Sequence, residues 1–256
     1  MMFIFFKSRR RARLRATPIP EAWQRTIDRN VPVVRRLTSA DRQELFGHVQ
    51  VFLAEKHFEG CGGLELTDEM RVTIAAQACL LLLHRDTDYY PRLTSILVYP
   101  STYVVPGKHS LGEGLVEEGD EPLLGHTQSR LSALVLSWDS ALGGARVMND
   151  GQNLVFHEFA HQLDFESGDT NGTPLLESNG QYASWARVLG AELDALRRAS
   201  ESGASSVLDE YGAENPAEFF AVATEAFFER PTELRDKHGA LYEQLRAYYQ
   251  QDPAAW

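Results

Sequence analysis

The five residues His157-Glu158-Phe159-Ala160-His161 constrain this chain more than any other stretch. Residues four apart lie one turn apart on the same face of an α-helix. Two imidazoles placed in that way can both reach one ion at the ~2.0–2.1 Å of a zinc–nitrogen bond. Glu158, next to the first of them, can reach a water on that ion and take its proton. The pattern therefore asks for a helix buried on one side and facing a cleft on the other. The flanking sequence supplies one. Asn149 or Asp150 can cap it, and Val155, Phe156, Phe159, Ala160 and Leu163 form an apolar face. Gly168 ends the run.

A catalytic metal site needs a third protein ligand and an open position. The downstream candidates are acids. In Asn215-Pro216-Ala217-Glu218 the asparagine can cap a helix, the proline takes its first position and the glutamate its third. On spacing alone, Glu218 reads equally well as a ligand and as a capping-box glutamate. Asp169, Glu214 and Glu225 are rival ligands. Glu225 lies two turns from Glu218 on the same face, and Asp164 follows His161 by three, so either could instead hold the second nitrogen of a ligating imidazole. Histidines 48, 57, 84, 109, 126 and 238 form no ligand-spaced pair. There is no Gly-rich phosphate loop and no local signature of a cysteine nucleophile.

The rest of the chain reads as an α+β protein, mainly helical with a small β-sheet. Ser39 is a candidate cap for a helix over about 40–57, closed by Gly60, Gly62 and Gly63. Thr67 caps a second helix running to about His84, with Asp68 and Glu69 in its first turn. Ser95–Tyr99, Thr102–Val105 and Leu131–Trp138 read as strands, and His109–Gly125 as a surface loop. Helices follow over about 150–164, 180–200, 216–229 and 238–251. One domain is expected over 17–256, helical to about 85 and catalytic after it.

Charge separates the start of the chain from its body. Residues 1–15 hold Lys7, Arg9, Arg10, Arg11, Arg13 and Arg15 and no acid, leaving 19 of the 25 basic residues against all 36 acidic ones. An acidic body argues against nucleic acid as its main ligand. Residues 1–16 read as a basic, flexible, solvated tip. The apolar-then-basic order at the start is the reverse of a secretory signal, and Ile74–Leu83 is half a membrane span. Cys61 and Cys79 make no disulfide framework. These features predict a cytoplasmic protein with no stable membrane insertion.

The stretches His157-Glu-Phe-Ala-His-Gln-Leu-Asp164 and Asn215-Pro-Ala-Glu-Phe-Phe-Ala-Val222 resemble the Mlc titration factor A family of bacterial zinc metallopeptidases. The resemblance extends to Leu66–Leu83, Leu136-Ser-Trp-Asp139 and Tyr248–Pro253. It implies a zincin-like fold of the gluzincin type, similar to the catalytic domain of anthrax lethal factor. It also implies one zinc per chain, aminopeptidase-type activity on peptides and a cytoplasmic location. It assigns the third ligand to Glu218, beside His157 and His161, and gives Tyr211 the role of a donor to the oxyanion. The family name points to a transcriptional repressor of sugar uptake as a partner. The alternative is a protein that sequesters a regulator and carries a structural or vestigial zinc. A purely structural site has four protein ligands and no base; here Glu158 is retained and no fourth ligand is evident, which favours the enzyme.

Overall fold

The structure is a computed structural model that describes residues 2–101 and 132–256. Within them the chain is mainly helical, with one three-stranded sheet. The expected strand over 102–105 and the expected loop over 109–125 lie outside the described residues. Contacts divide the chain into two compact units, one made of the residues up to Leu83 with Leu93–Arg146, the other of His84–Arg92 with Val147–Trp256.

The first unit is built on helices α1 (Met2–Ala16), α2 (Glu21–Asn30), α3 (Ser39–Glu55) and α4 (Asp68–Leu80), strands β1 (His57–Gly60), β2 (Ser95–Tyr99) and β3 (Ala133–Ser137), and helix α5 (Trp138–Arg146). The strands run parallel in the order β1-β2-β3, with Phe58 opposite Ile96 and Ile96 opposite Leu134. Helix α3 is capped by Thr38 rather than Ser39, the Thr38 hydroxyl accepting the Asp41 N–H. It stops at Glu55 because His57–Gly60 pair with Ser95–Val98. Of the glycines expected to end a helix, Gly60 closes a strand, and Gly62 and Gly63 follow it. Helix α4 is capped by Thr67 as expected and ends at Leu80, short of His84. Gln77 Nε2 on α4 donates to the Ala141 carbonyl of α5, and the buried Asn30 joins Glu69, Thr73 and Arg146.

Residues 2–16 form a helix. The cause is visible on α3. Arg11 makes a two-pronged ion pair with Glu55, Nε to Oε1 at 2.8 Å and Nη2 to Oε2 at 2.7 Å, and Arg10 donates to the Ala54 carbonyl. A β-carbon on Gly47 would lie 3.2 Å from Arg15, so α1 approaches α3 closely at that point. A run of like charges is thus accommodated by an acid and a carbonyl at the end of the neighbouring helix, which also suits the dipole there. Among the described residues no helix is long and apolar enough to cross a membrane. Cys61 and Cys79 are not joined in a disulfide.

The second unit carries α6 (Leu154–Phe165), α7 (Asn179–Ser202), α8 (Pro216–Glu229), α9 (Pro231–Lys237) and α10 (Gly239–Tyr249). Helix α7 opens on a capping box between Ser178 and Gln181 and closes on Gly203 at φ +67°. An aromatic core of Phe156, Trp185, Phe220, Phe227, Phe228, Tyr242 and Tyr249 fills the space between the helices, with ring centroids 5.0–5.6 Å apart in pairs such as Phe156–Phe228 and Phe227–Tyr249. The segment 84–92 is packed into the same core. Arg85 stacks 4.1 Å above the Tyr248 ring, Tyr90 meets Phe159 at 4.8 Å and Arg92 lies 4.5 Å over Phe165. His84, Tyr89 and Tyr90 all adopt left-handed backbone, at φ +64°, +57° and +54°.

Replacing Arg11 with alanine should destabilise the protein by about 1 kcal/mol in urea unfolding. Burial raises the Glu55 carboxyl, but the Arg11 hydrogen bond and charge outweigh it and hold it below its ordinary value. A depressed acid stabilises above its unfolded value. The difference between wild type and Arg11→Ala is therefore expected in full above about pH 4.5 and should vanish as pH falls further.

Candidate metal centre

Helix α6 forms where the sequence predicts one, with a different cap. The Asn153 side chain, not Asn149 or Asp150, accepts the Phe156 N–H, and the helix starts at Leu154. Its apolar face, Val155, Phe156, Phe159, Ala160 and Leu163, is buried, while His157 and His161 keep part of their surface on the other side. Helix α8 begins at Pro216 under the Asn215 cap, whose side chain accepts the Ala217 and Glu218 N–H groups. The two helices run antiparallel: Glu225 on α8 meets His157 near the start of α6, and Glu218 meets His161 one turn further along.

Three donor atoms converge. His157 Nε2 and His161 Nε2 are 3.2 Å apart, and Glu218 Oε2 lies 3.0 Å from the first and 3.3 Å from the second. A tetrahedral ion with bonds of ~2.0–2.1 Å has its donors roughly 3.3 Å apart. The triangle thus fits such an ion with little movement. The Glu218 carboxylate faces the imidazoles, which separates it from its rivals: Asp169 is exposed and accepts its neighbour Thr170's N–H, and Glu214 is exposed outside the helix. Glu225 Oε1 lies 2.7 Å from His157 Nδ1, and its Oε2 accepts the Asn153 N–H at 2.5 Å. That carboxylate fixes the tautomer that leaves Nε2 for an ion. Asp164, the other candidate for such a role, is buried and accepts the Gly172 N–H at 2.7 Å instead. Gly172 sits at φ +75°, and a β-carbon there would lie 2.2 Å from the Pro216 carbonyl oxygen. Asp164 therefore ties the end of α6 to the loop that abuts the start of α8.

Glu158 is 7% exposed, and burial raises its carboxyl despite the nearby imidazoles. Tyr211 stands on a short 3₁₀ turn, Glu210–Ala213, where a β-carbon on Gly212 would lie 3.2 Å from Leu196 and Val222. Its ring lies 5.9 Å from that of His157. Burial, then the Glu218 and Glu214 charges, push the phenol up to about 12, so it keeps its proton at neutral pH. What sequence reasoning missed is Asn153 as the cap and Glu229, which accepts from Asn149 N–H at 3.0 Å and Asn153 Nδ2 at 3.4 Å. Three acids at 218, 225 and 229 on one helix face were the available signal.

His157 and Glu218 also support one another's charges. Burial lowers the His157 imidazole, but hydrogen bonds to Glu218 and Glu225 raise it to about 10. Burial raises Glu218, but the two imidazoles hold it at about 2. The pair stabilises the fold when Glu218 is ionised and His157 protonated. A raised imidazole stabilises below its unfolded value, and a depressed acid above its own. The stability lost in Glu218→Gln, measured by denaturation in chelator, should therefore be largest between about pH 4.5 and 6.5. It should shrink toward pH 2 and toward pH 10.

A sequence profile described as glucose-regulated metallo-peptidase M90 matches residues 5–250. An uncharacterized protein of Synechocystis is 42% identical over 236 residues, 92% of this chain and 86% of its own length. Mlc titration factor A of Klebsiella pneumoniae is 31% identical over 238 residues, 91% of this chain and 87% of its own. Mlc titration factor A of Pectobacterium atrosepticum is 32% identical over 240 residues, 92% and 88% of the two chains. With a profile that spans nearly the whole sequence and relatives that match about nine tenths of it, this chain belongs to the glucose-regulated metallo-peptidase M90 family.

Proposed function

We propose that this chain is a cytoplasmic zinc-dependent peptidase of the aminopeptidase type, with zinc held by His157, His161 and Glu218. The observation that carries the reading is the triangle of donors, 3.0–3.3 Å on each side, with the buried Glu158 on the same helix. The two nitrogens and one carboxylate oxygen are the donor set of catalytic zinc, and three protein ligands leave a position open. When bound, the ion supplies Lewis acidity, which polarises a peptide carbonyl and brings the ionisation of water near neutral pH.

The protein's residues do the rest. Glu225 holds the His157 ring through Nδ1. Glu158 accepts a proton from the attacking water, whose oxygen bonds to the carbonyl carbon. The same carboxyl then delivers that proton to the amide nitrogen as the carbon–nitrogen bond breaks. Its raised proton affinity suits a group that must take a proton and return it. Tyr211 donates its phenolic hydrogen to the carbonyl oxygen as charge develops there. The relatives' name, Mlc titration factor A, speaks of titrating Mlc. It favours a second reading in which this chain binds a transcriptional repressor of sugar uptake. The two activities are compatible on one chain.

Short peptide–arylamide substrates should be hydrolysed by the zinc-loaded protein and spared in chelator. Glu158→Gln should keep about one zinc per chain and lose ~10²-fold or more of the turnover. Glu218→Ala should lose zinc and turnover together. Tyr211→Phe should keep zinc and lose ~10²-fold or more in kcat. Wild-type turnover in Glu158→Gln would remove that residue from the reaction. Full zinc in Glu218→Ala would overturn the ligand set.

A further inference from the structure

Helix α8 turns three acids toward α6. Glu218 and Glu225 meet the imidazoles; Glu229, one turn beyond Glu225, meets none. It is 4% exposed, and both hydrogen bonds it accepts come from neutral N–H groups of the segment leading into α6, Asn149 N–H and Asn153 Nδ2. The adjacent Arg230 directs its guanidinium to Glu233 and the Val207 carbonyl. Burial lifts the Glu229 carboxyl to about 7 although its two donors pull the other way. A buried acid without a cation beside it is costly, and an apolar residue of that size would fill the space at lower cost.

What Glu229 holds is more specific than a packing contact. Asn149 is a non-glycine residue at φ +72°. Gly151, at φ +87°, leaves room where a β-carbon would come within 3.0 Å of Arg230 Cδ. Asn153 then makes three links at the start of α6: its side chain accepts the Phe156 N–H, its own N–H goes to Glu225, and its carbonyl accepts the His157 N–H at 3.0 Å. The helix that supplies the third donor thus also grips the residue from which the first histidine hangs.

We propose that Glu229 is a positioning residue of the metal centre, acting through Asn153 to fix where α6 begins and hence how far His157 and His161 stand from Glu218. The inference rests on the metal reading above. Glu229→Gln keeps the volume but turns an amide NH₂ toward one of two N–H donors, so one hydrogen bond is lost. Glu229→Leu loses both.

Zinc affinity, measured by competition with a chromophoric chelator, should fall about 10-fold in Glu229→Gln and up to about 100-fold in Glu229→Leu. Asn153→Ala should fall similarly, and Glu229→Gln should add little to it in the double variant. In the metal-free chain the amide hydrogens of Phe156 and His157 should exchange faster in Glu229→Gln, while those of residues 160–165 keep their protection. A lower Tm with unchanged zinc affinity and unchanged exchange would overturn the inference, since a merely stabilising residue behaves that way. Additive losses in the double variant would overturn the route through Asn153. If the wild-type chain takes up no zinc, the proposed function fails, and unchanged exchange at Phe156 and His157 in Glu229→Gln still sinks this inference by itself. Should Glu229→Leu fail to fold, Glu229→Gln decides the matter.

Discussion

The antiparallel seam between α6 and α8 is the constraint on which the rest of the second unit depends. Its polar groups meet at successive levels: Asn153 with Glu225 and Glu229, His157 with Glu225 and Glu218, and His161 with Glu218. Past the last level, Asp164 reaches Gly172, whose backbone abuts Pro216. Backs and flanks of the two helices are apolar, so burial pulls them together. Burial alone would leave their relative sliding free over a fraction of a turn. The hydrogen bonds at each level remove that freedom, and a metal site needs its donors held to about half an ångström.

The same seam explains its own charge. Four acids, at 158, 218, 225 and 229, lie along two helices that face each other, an arrangement that repels itself unless something positive sits among them. Their charges, with the hydrogen bonds to Glu218 and Glu225, favour the second proton on His157. An ion in the triangle would displace that proton and bring a larger charge to the same place, so uptake is coupled to proton release.

Much of this was legible in the residues, and the reasons are particular. The four-residue spacing of His157 and His161 specifies a helix face, and the Asn-Pro start at 215–216 specifies where the partner helix begins; both are local rules. The assignment of Glu218 over its rivals came through family resemblance, because which of several acids crosses a gap of tens of residues is set by tertiary packing. Strand β1 was missed because His57–Gly60 has little β character of its own and becomes a strand by pairing with Ser95–Val98. Helix α1 was read as a tail because its arginines look solvated until Glu55 is placed beside Arg11. The helix over Trp138–Arg146 was taken no further than the strand before it, since Gly143 and Gly144 weaken its propensity.

The segment 84–92 has a bearing on how this protein can be divided. It precedes β2 and β3 in the chain yet belongs with the residues after Arg146. The unit that bears the histidines is therefore discontinuous, and no single cut in the polypeptide releases it whole. A fragment beginning at Val147 would leave Phe159, on the back of the histidine helix, without the Tyr90 ring, and Tyr248 without the Arg85 guanidinium above it. Tyr90, left-handed at φ +54°, would lose with Phe159 a ring contact that holds it in strained backbone. Moving the histidine-bearing unit into another chain therefore takes two segments, 84–92 and 147–256, and not one.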